Sequence, residues 1–130
     1  MADIEAESIK ISVIVPVHNE EETLETLHSR LTSVLRNLGE PYEVIFVDDG
    51  SNDQSFHILQ GLHKADNCVK VIRFTRNFGQ PSAVAAGFDF ALGDIIFTID
   101  ADLEQPPEEI PKFIEKLDEG YDAVFGVFKG

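Results

Sequence analysis

Cys68 is the single cysteine, so no intrachain disulfide can form, and a reducing compartment is the default expectation. Tryptophan is absent. No apolar run approaches the roughly 18 residues of a membrane helix. The first eight residues are acidic rather than apolar, which excludes a secretion signal and reads as a flexible lead-in. Basic residues are scarce, 10 Lys+Arg against 24 Asp+Glu, for a net charge of −14. That field repels phosphate backbones, so a general nucleic-acid binder is excluded. An anionic ligand would need a metal ion or aimed backbone dipoles to enter. The four histidines show no metal-ligand spacing. There is no G-x-G-x-x-G, no G-x-x-x-x-G-K-[ST] and no G-x-S-x-G, so a nicotinamide site, a P-loop ATPase and a serine hydrolase are not indicated.

What is present is an alternation of short apolar runs with helical patterns. Ile11–Val17 is β-branched almost throughout, as in a strand buried on both faces. Asn19 with Glu20-Glu21-Glu22 predicts a helix start with a capping box. Leu24, Leu27, Leu31, Val34, Leu35 and Leu38 share one helical face, closed by Gly39. A second strand spans Tyr42–Val47, followed by a helix capped by Ser51 or Asn52, with Phe56, Leu59 and Leu62 inward and Ile58 a further candidate. A third strand covers Val69–Phe74, and Pro81 suits the first turn of a helix through Ala91. Asp94–Ile99 reads as a fourth strand. Ile110, Phe113, Ile114 and Leu117 mark a fourth helix, and Ala123–Phe128 a fifth strand. The expected fold is α/β, a doubly wound, mostly parallel sheet with helices on both faces. Residues 9–130 form its one domain. The chain stops two residues after the fifth strand, which suggests a fragment of a longer protein whose exposed sheet edge could support a homo-oligomer.

Ligands of such sheets bind at the carboxyl ends of the strands, and four polar clusters fall there. Asp100-Ala101-Asp102 follows an apolar strand; residues i and i+2 share a side about 6.5–7 Å apart and can hold one hard cation between them. Glu104 offers a third oxygen ligand; the alternative is a solvated acidic turn before Pro106-Pro107. Asp48 or Asp49 could accept from a base N–H or a ribose hydroxyl, with Gly50 permitting a tight turn. Turn chemistry alone also explains that run. His18 offers a ring to lay against a planar base whose edge meets the backbone near Pro16; the alternative is a plain strand end followed by a helix cap. Arg76, beside Asn77 and a helix N-terminus, suits a phosphate or ribose, and reads equally as a surface Arg neutralising nearby Asp.

In this order and spacing, the runs Ser12–Glu21, Val47–Asp53, Arg76–Gln80 and Asp100–Glu108 resemble the inverting family 2 glycosyltransferases of GT-A fold. The last two runs, with Gly120-Tyr121-Asp122, look most like the dolichol-phosphate mannose synthase and polyprenyl-phosphate glycosyltransferase branch. The resemblance implies a UDP- or GDP-sugar donor. Pro16, His18, Glu20 and Asp48 or Asp49 would line the nucleoside pocket, with Arg76 and Asn77 near the ribose and diphosphate. Asp100 and Asp102 would hold Mg²⁺ or Mn²⁺. It further implies sugar transfer with inversion to a polyprenyl phosphate, at the cytoplasmic face of a membrane for the full-length protein. The general base would lie beyond Gly130, and none is identified here. His18 stands where the family often has Tyr, and Glu104 where the branch usually has Gln. The competing expectation is a receiver-like, phospho-accepting signalling module. That fold needs an acid pair after its first strand, where this chain has His18-Asn19-Glu20.

Overall fold

The computed structural model describes residues 8–118. Strands β1 (Ile11–Val17), β2 (Tyr42–Asp49), β3 (Val69–Phe74) and β4 (Ile95–Thr98) alternate with helices α1 (Leu24–Leu38), α2 (Ser55–Ala65), α3 (Gln80–Phe90) and α4 (Ile110–Asp118). The expected fifth strand lies outside the described residues. The order β3-β2-β1-β4 is parallel throughout, with Ile14 opposite Ile45 on one side and Thr98 on the other. This order also decides against a receiver-like module, in which the first strand lies between the second and third.

Burial explains the layers. Val13, Val15, Val44 and Phe46 face α1 and α2, where Leu24, Leu27, Leu31, Leu35 and Leu59 complete the larger core. Ile14, Ile45 and Val47 face the other way, onto Ala83 of α3. The small residues of α3 allow a close approach: a Cβ on Gly87 would lie 2.4 Å from Ile14 Cγ2. The chain thus winds outward through α1 and α2 on one face and returns beneath the sheet through α3. The switch point falls between β1 and β4.

Two helix starts differ from expectation. Helix α1 begins at Leu24 behind Thr23, and α2 begins at Ser55 behind Gln54. The residues expected to cap them are spent on a different task. Asn19, at φ 55°, accepts from Asn52 N (2.8 Å) through Oδ1 and donates its own N–H to Ser51 Oγ (2.9 Å). Glu20 N donates to Ser55 Oγ at 2.8 Å, and Gln54 N to Glu21 Oε1 at 2.9 Å. The loops after β1 and β2 are therefore stapled to each other rather than each capping its own helix. Gly39 does end α1 as expected, left-handed at φ 75°.

Candidate functional site

The carboxyl ends of β1 and β4 diverge at the switch point and open a cleft of about 310 Å³. Its walls bring together Pro16, His18, Glu20, Asp49, Asn77, Asp100 and Asp102 of the expected residues. Asp48, Arg76 and Glu104 stand outside its lining.

Alternation along β2 sorts the two adjacent acids. Asp48 shares the face of Val44 and Phe46; it is buried, its Oδ1 lies 3.4 Å from Ser51 N, and its Oδ2 has no partner among the described residues. Asp49 turns toward α3 and the cleft. Its carboxylate accepts from Phe78 N at 2.7 Å and Gly79 N at 3.0 Å, which fixes the loop leading into α3. Gly50 makes that approach possible: at φ 68°, a Cβ there would lie 2.3 Å from the Arg76 carbonyl carbon. His18 Nδ1 is 2.9 Å from the Asp49 carbonyl oxygen, so Nδ1 carries the proton and donates. Asn77 Nδ2 reaches the same oxygen at 3.3 Å. One wall is thus a planar imidazole and an amide, both held by one backbone carbonyl.

The opposite wall is the turn after β4. Thr23 Oγ1 donates to Ala101 O at 2.6 Å and ties this turn to the start of α1. Leu103 adopts φ 67°, and Asp102 Oδ1 accepts from Glu104 N at 3.0 Å, so the turn is closed by its own acid. Asp100 Oδ1 accepts from Gln80 Nε2 at 3.0 Å, and its N–H donates to Gln105 Oε1 at 2.7 Å. Glu104 contributes its backbone to the turn; its side chain is exposed. Gln80, Gln105 and Thr23 hold this wall; the two glutamines fall within the runs that carry the family resemblance, but their residue type alone assigns them no ligand role.

Glu20, Asp49, Asp100 and Asp102 crowd one cleft. Burial, then the charges of Asp102, Asp53 and Asp100, push the Glu20 carboxyl above its ordinary range, with His18 opposing weakly. Among the described residues, neither Asp100 nor Asp102 forms an ion pair with a lysine or arginine. No three His, Cys, Asp or Glu side chains converge on one point there either. Two hard carboxylate oxygen donors with open positions fit Mg²⁺ or Mn²⁺ completed by ligand phosphates, and do not fit a cation caged by protein alone. Beyond His18 and Asn77 lies a second cleft of about 460 Å³, bordered by Arg73 and Arg76. Both guanidiniums rest on rings, Arg73 4.0 Å above Phe56 and Arg76 4.5 Å above Phe78. No helix among the described residues is long and apolar enough to cross a membrane.

Solved structures share this architecture. TarS of S. aureus (residues 1–349) matches with a TM-score of 0.65 at 28% identity, over 85% of this chain and 33% of that one. The same protein in complex with UDP-GlcNAc matches at 0.60 and 29% identity, over 85% and 32%. The mannosyltransferase PcManGT from Pyrobaculum calidifontis, in complex with GDP-Man and Mn²⁺, matches at 0.65 and 22% identity, over 83% and 32%, and so shares the fold. The chain therefore spans about a third of the length of the solved proteins it matches. The family model for glycosyl transferase family 2 matches residues 12–130, which takes in all four polar runs as well as the strands that carry them. With the fold GT-A-like and the match nearly complete, the chain belongs to glycosyl transferase family 2.

Proposed function

We propose that this domain binds a nucleoside-diphosphate sugar together with Mg²⁺ or Mn²⁺, as the donor half of an inverting glycosyltransferase. The observation that carries the reading is the placement of Asp100 and Asp102 on the cleft shared with His18 and Asp49, with no basic side chain among the described residues neutralising them. Four carboxylates facing one cleft repel a diphosphate unless a cation enters with it. Asp100 and Asp102 would hold that cation. Bound there, it would neutralise charge on the departing nucleoside diphosphate.

The other roles follow from the chain's own groups. His18, its ring fixed by Nδ1–H donation to Asp49 O, presents a flat wall to a nucleobase, beside the backbone of Pro16. Asn77 and the neighbouring Arg76 flank the same entrance, where ribose and phosphate oxygens need donors. Glu20 faces the acid pair and, when ionised, adds to the field that draws a cation in. Asp48 supports the turn from the face of the sheet that packs on α1 and α2. Glu104 stands on the exposed shoulder of the metal turn, where it could add a ligand oxygen only by moving inward. In a longer protein carrying this domain, the acceptor would be a polyprenyl phosphate, and the base that activates it would lie in the two-thirds of the relatives' length that this chain does not span. TarS, at 28–29% identity and solved with UDP-GlcNAc, supports a uridine donor as the first to test.

Calorimetry of the 130-residue chain with UDP-GlcNAc and with GDP-Man, each with Mn²⁺ and with EDTA, tests the reading. Binding that requires Mn²⁺, and is lost in Asp102→Ala while the melting temperature stays within about 2 °C, is the expected result. Affinity for both donors that is indifferent to Mn²⁺ would overturn it.

A further inference from the structure

We infer that Gln80 and Gln105 form a neutral amide clamp on Asp100, positioning it for the cation and tying the metal side of the cleft to its nucleoside side. The inference rests on the donor-and-metal reading above and adds to it two positioning residues.

The geometry is specific. Asp100 Oδ1 accepts from Gln80 Nε2 at 3.0 Å, and Oδ2 lies 3.4 Å from Gln105 Nε2. The two amides come from different elements, the first residue of α3 and the turn after β4. Gln105 is only 9% exposed, and its Oε1 accepts the backbone N–H of Asp100 at 2.7 Å. A backbone N–H can only donate, so Oε1 must face it, and Nε2 is thereby aimed at the carboxylate. Gln105 thus holds the main chain and the side chain of one residue at once.

The choice of amides has a chemical reason. A lysine or arginine in either place would pair with Asp100 and compete with the incoming cation. An acid would repel the carboxylate. An amide donates a hydrogen bond, adds no charge, and does not titrate, so Asp100 stays oriented while its charge remains available. Supporting partners of this kind typically govern about 10–100-fold in metal affinity.

Gln80 also connects the two walls through the chain itself. Phe78 N and Gly79 N are the groups that Asp49 accepts from, and Gln80 is the next residue. Three consecutive residues thus span from the Asp49 carboxylate to the Asp100 carboxylate. A nucleoside that settles against Asp49 and His18 fixes the loop that carries Gln80. The clamp therefore makes metal and nucleotide affinities mutually dependent, as linkage requires.

The test uses the whole chain, UDP as the probe and Mn²⁺ as the ion. Mn²⁺ binding is followed by loss of the free-ion EPR signal with and without UDP, and uridine, which carries no phosphate for the acids to repel, is titrated separately in EDTA. Gln80 is exposed, so Gln80→Ala should leave the melting temperature within about 2 °C and uridine affinity within about twofold, yet weaken Mn²⁺ about tenfold. It should also shrink the gain in Mn²⁺ affinity that UDP brings. Gln80→Lys keeps a donor but adds charge and should bind Mn²⁺ more weakly still. Gln105→Glu keeps the acceptor for Asp100 N but sets a buried acid against the Asp100 carboxylate, so its melting temperature should fall at pH 7; an unchanged value would count against the clamp. Mn²⁺ affinity within twofold of wild type in Gln80→Ala overturns the inference, as does its restoration in Gln80→Lys. So does a parallel fall of uridine affinity and melting temperature, which would mark a merely structural contact. Failure of the wild-type chain to bind UDP in a Mn²⁺-dependent way would instead overturn the donor-and-metal reading itself.

Discussion

Glu43 is fully buried in a strand that is otherwise apolar up to its carboxyl end, and its removal gives the sharpest stability prediction. It lies at the end of the sheet opposite the cleft, directly across from Ser12 in register. Its Oε2 accepts from Ser12 Oγ at 2.6 Å and from Leu92 N at 2.7 Å, and its Oε1 meets Lys70 Nζ at 2.5 Å. Gly93 N donates in turn to Ser12 Oγ at 2.8 Å. The network pins the connection from α3 to β4, and thus the position of the strand that leads into Asp100. In Glu43→Ala, Leu92 N and the Ser12 hydroxyl lose their acceptor in a buried site, at about 1–3 kcal/mol each. Lys70 is 43% exposed and recovers water, so it adds little. The expected loss is about 3 kcal/mol, toward the lower end of what breaking a buried ion pair costs, because one partner can rehydrate. With roughly 4 °C per kcal/mol for a domain of this size, the melting temperature should fall by about 12 °C.

The sign of the pH dependence is fixed too. Burial pushes the Glu43 carboxyl up, but the bonds from Lys70, Ser12 and Leu92 N–H outweigh it and hold it below the ordinary range. A lowered carboxylate contributes stability above its unfolded pKa of about 4.3, which is lost as pH falls through the folded value. Urea denaturation of wild type, Glu43→Ala and Glu43→Gln at pH 7 and across pH 5 to 3 measures both. The gap between wild type and Glu43→Gln should narrow below about pH 4.3. A loss under about 1 kcal/mol in Glu43→Ala, or a gap that widens with acid, would refute the reasoning.

Two further changes test the cleft. Gly50→Ala places a Cβ 2.3 Å from the Arg76 carbonyl carbon at φ 68°, so the loop after β3 must shift. We expect a loss of at least about 2 kcal/mol in urea and donor affinity weakened more than tenfold; unchanged donor binding would count against the packing of the two loops. Glu20→Gln removes a carboxyl that burial and neighbouring acids hold above its ordinary range. A raised carboxyl lends stability below its unfolded pKa and loses it as pH rises through the folded one, so the variant should gain at pH 7 and not at pH 4. The gain in EDTA should be small, about 0.5 kcal/mol after screening, and shrink in 1 M salt. Thermal melts that show equal gains at both pH values would contradict it.

The fold was legible because its elements are locally consistent. Buried parallel strands read as unbroken β-branched runs, and the leucine spacing of α1 leaves no other period. The small-residue run in α3 announced its closeness to the sheet, down to the contact that leaves no room for a Cβ on Gly87. Helix starts were not legible, for a physical reason. Asn, Ser and Asp cap helices and staple loops with the same atoms, and sequence does not say which donor each will meet. Asn19 and Ser51 met each other's loops because β1 and β2 are adjacent parallel strands with their carboxyl ends level.

The candidate site divides along the same line. Residues whose type alone suggests ligand chemistry, such as His18, Asp100 and Asp102, could be named from sequence, and the switch point gathers them. What sequence left open was which of two adjacent acids faces the cleft, and strand parity answers it: Asp49 shares a side with Ile45 and Val47, and Asp48 does not. Residues that act by holding others were out of reach: Gln80 and Gln105 lie within the runs Arg76–Gln80 and Asp100–Glu108, but carry no charge that would suggest a ligand role. Their meaning arises only when α3 and the turn after β4 bring two amide nitrogens to opposite oxygens of one carboxylate. The distinction has a consequence for substitution. Exchanging a cleft acid should alter whether donor and cation bind at all, whereas exchanging a glutamine should alter how strongly each reports the presence of the other.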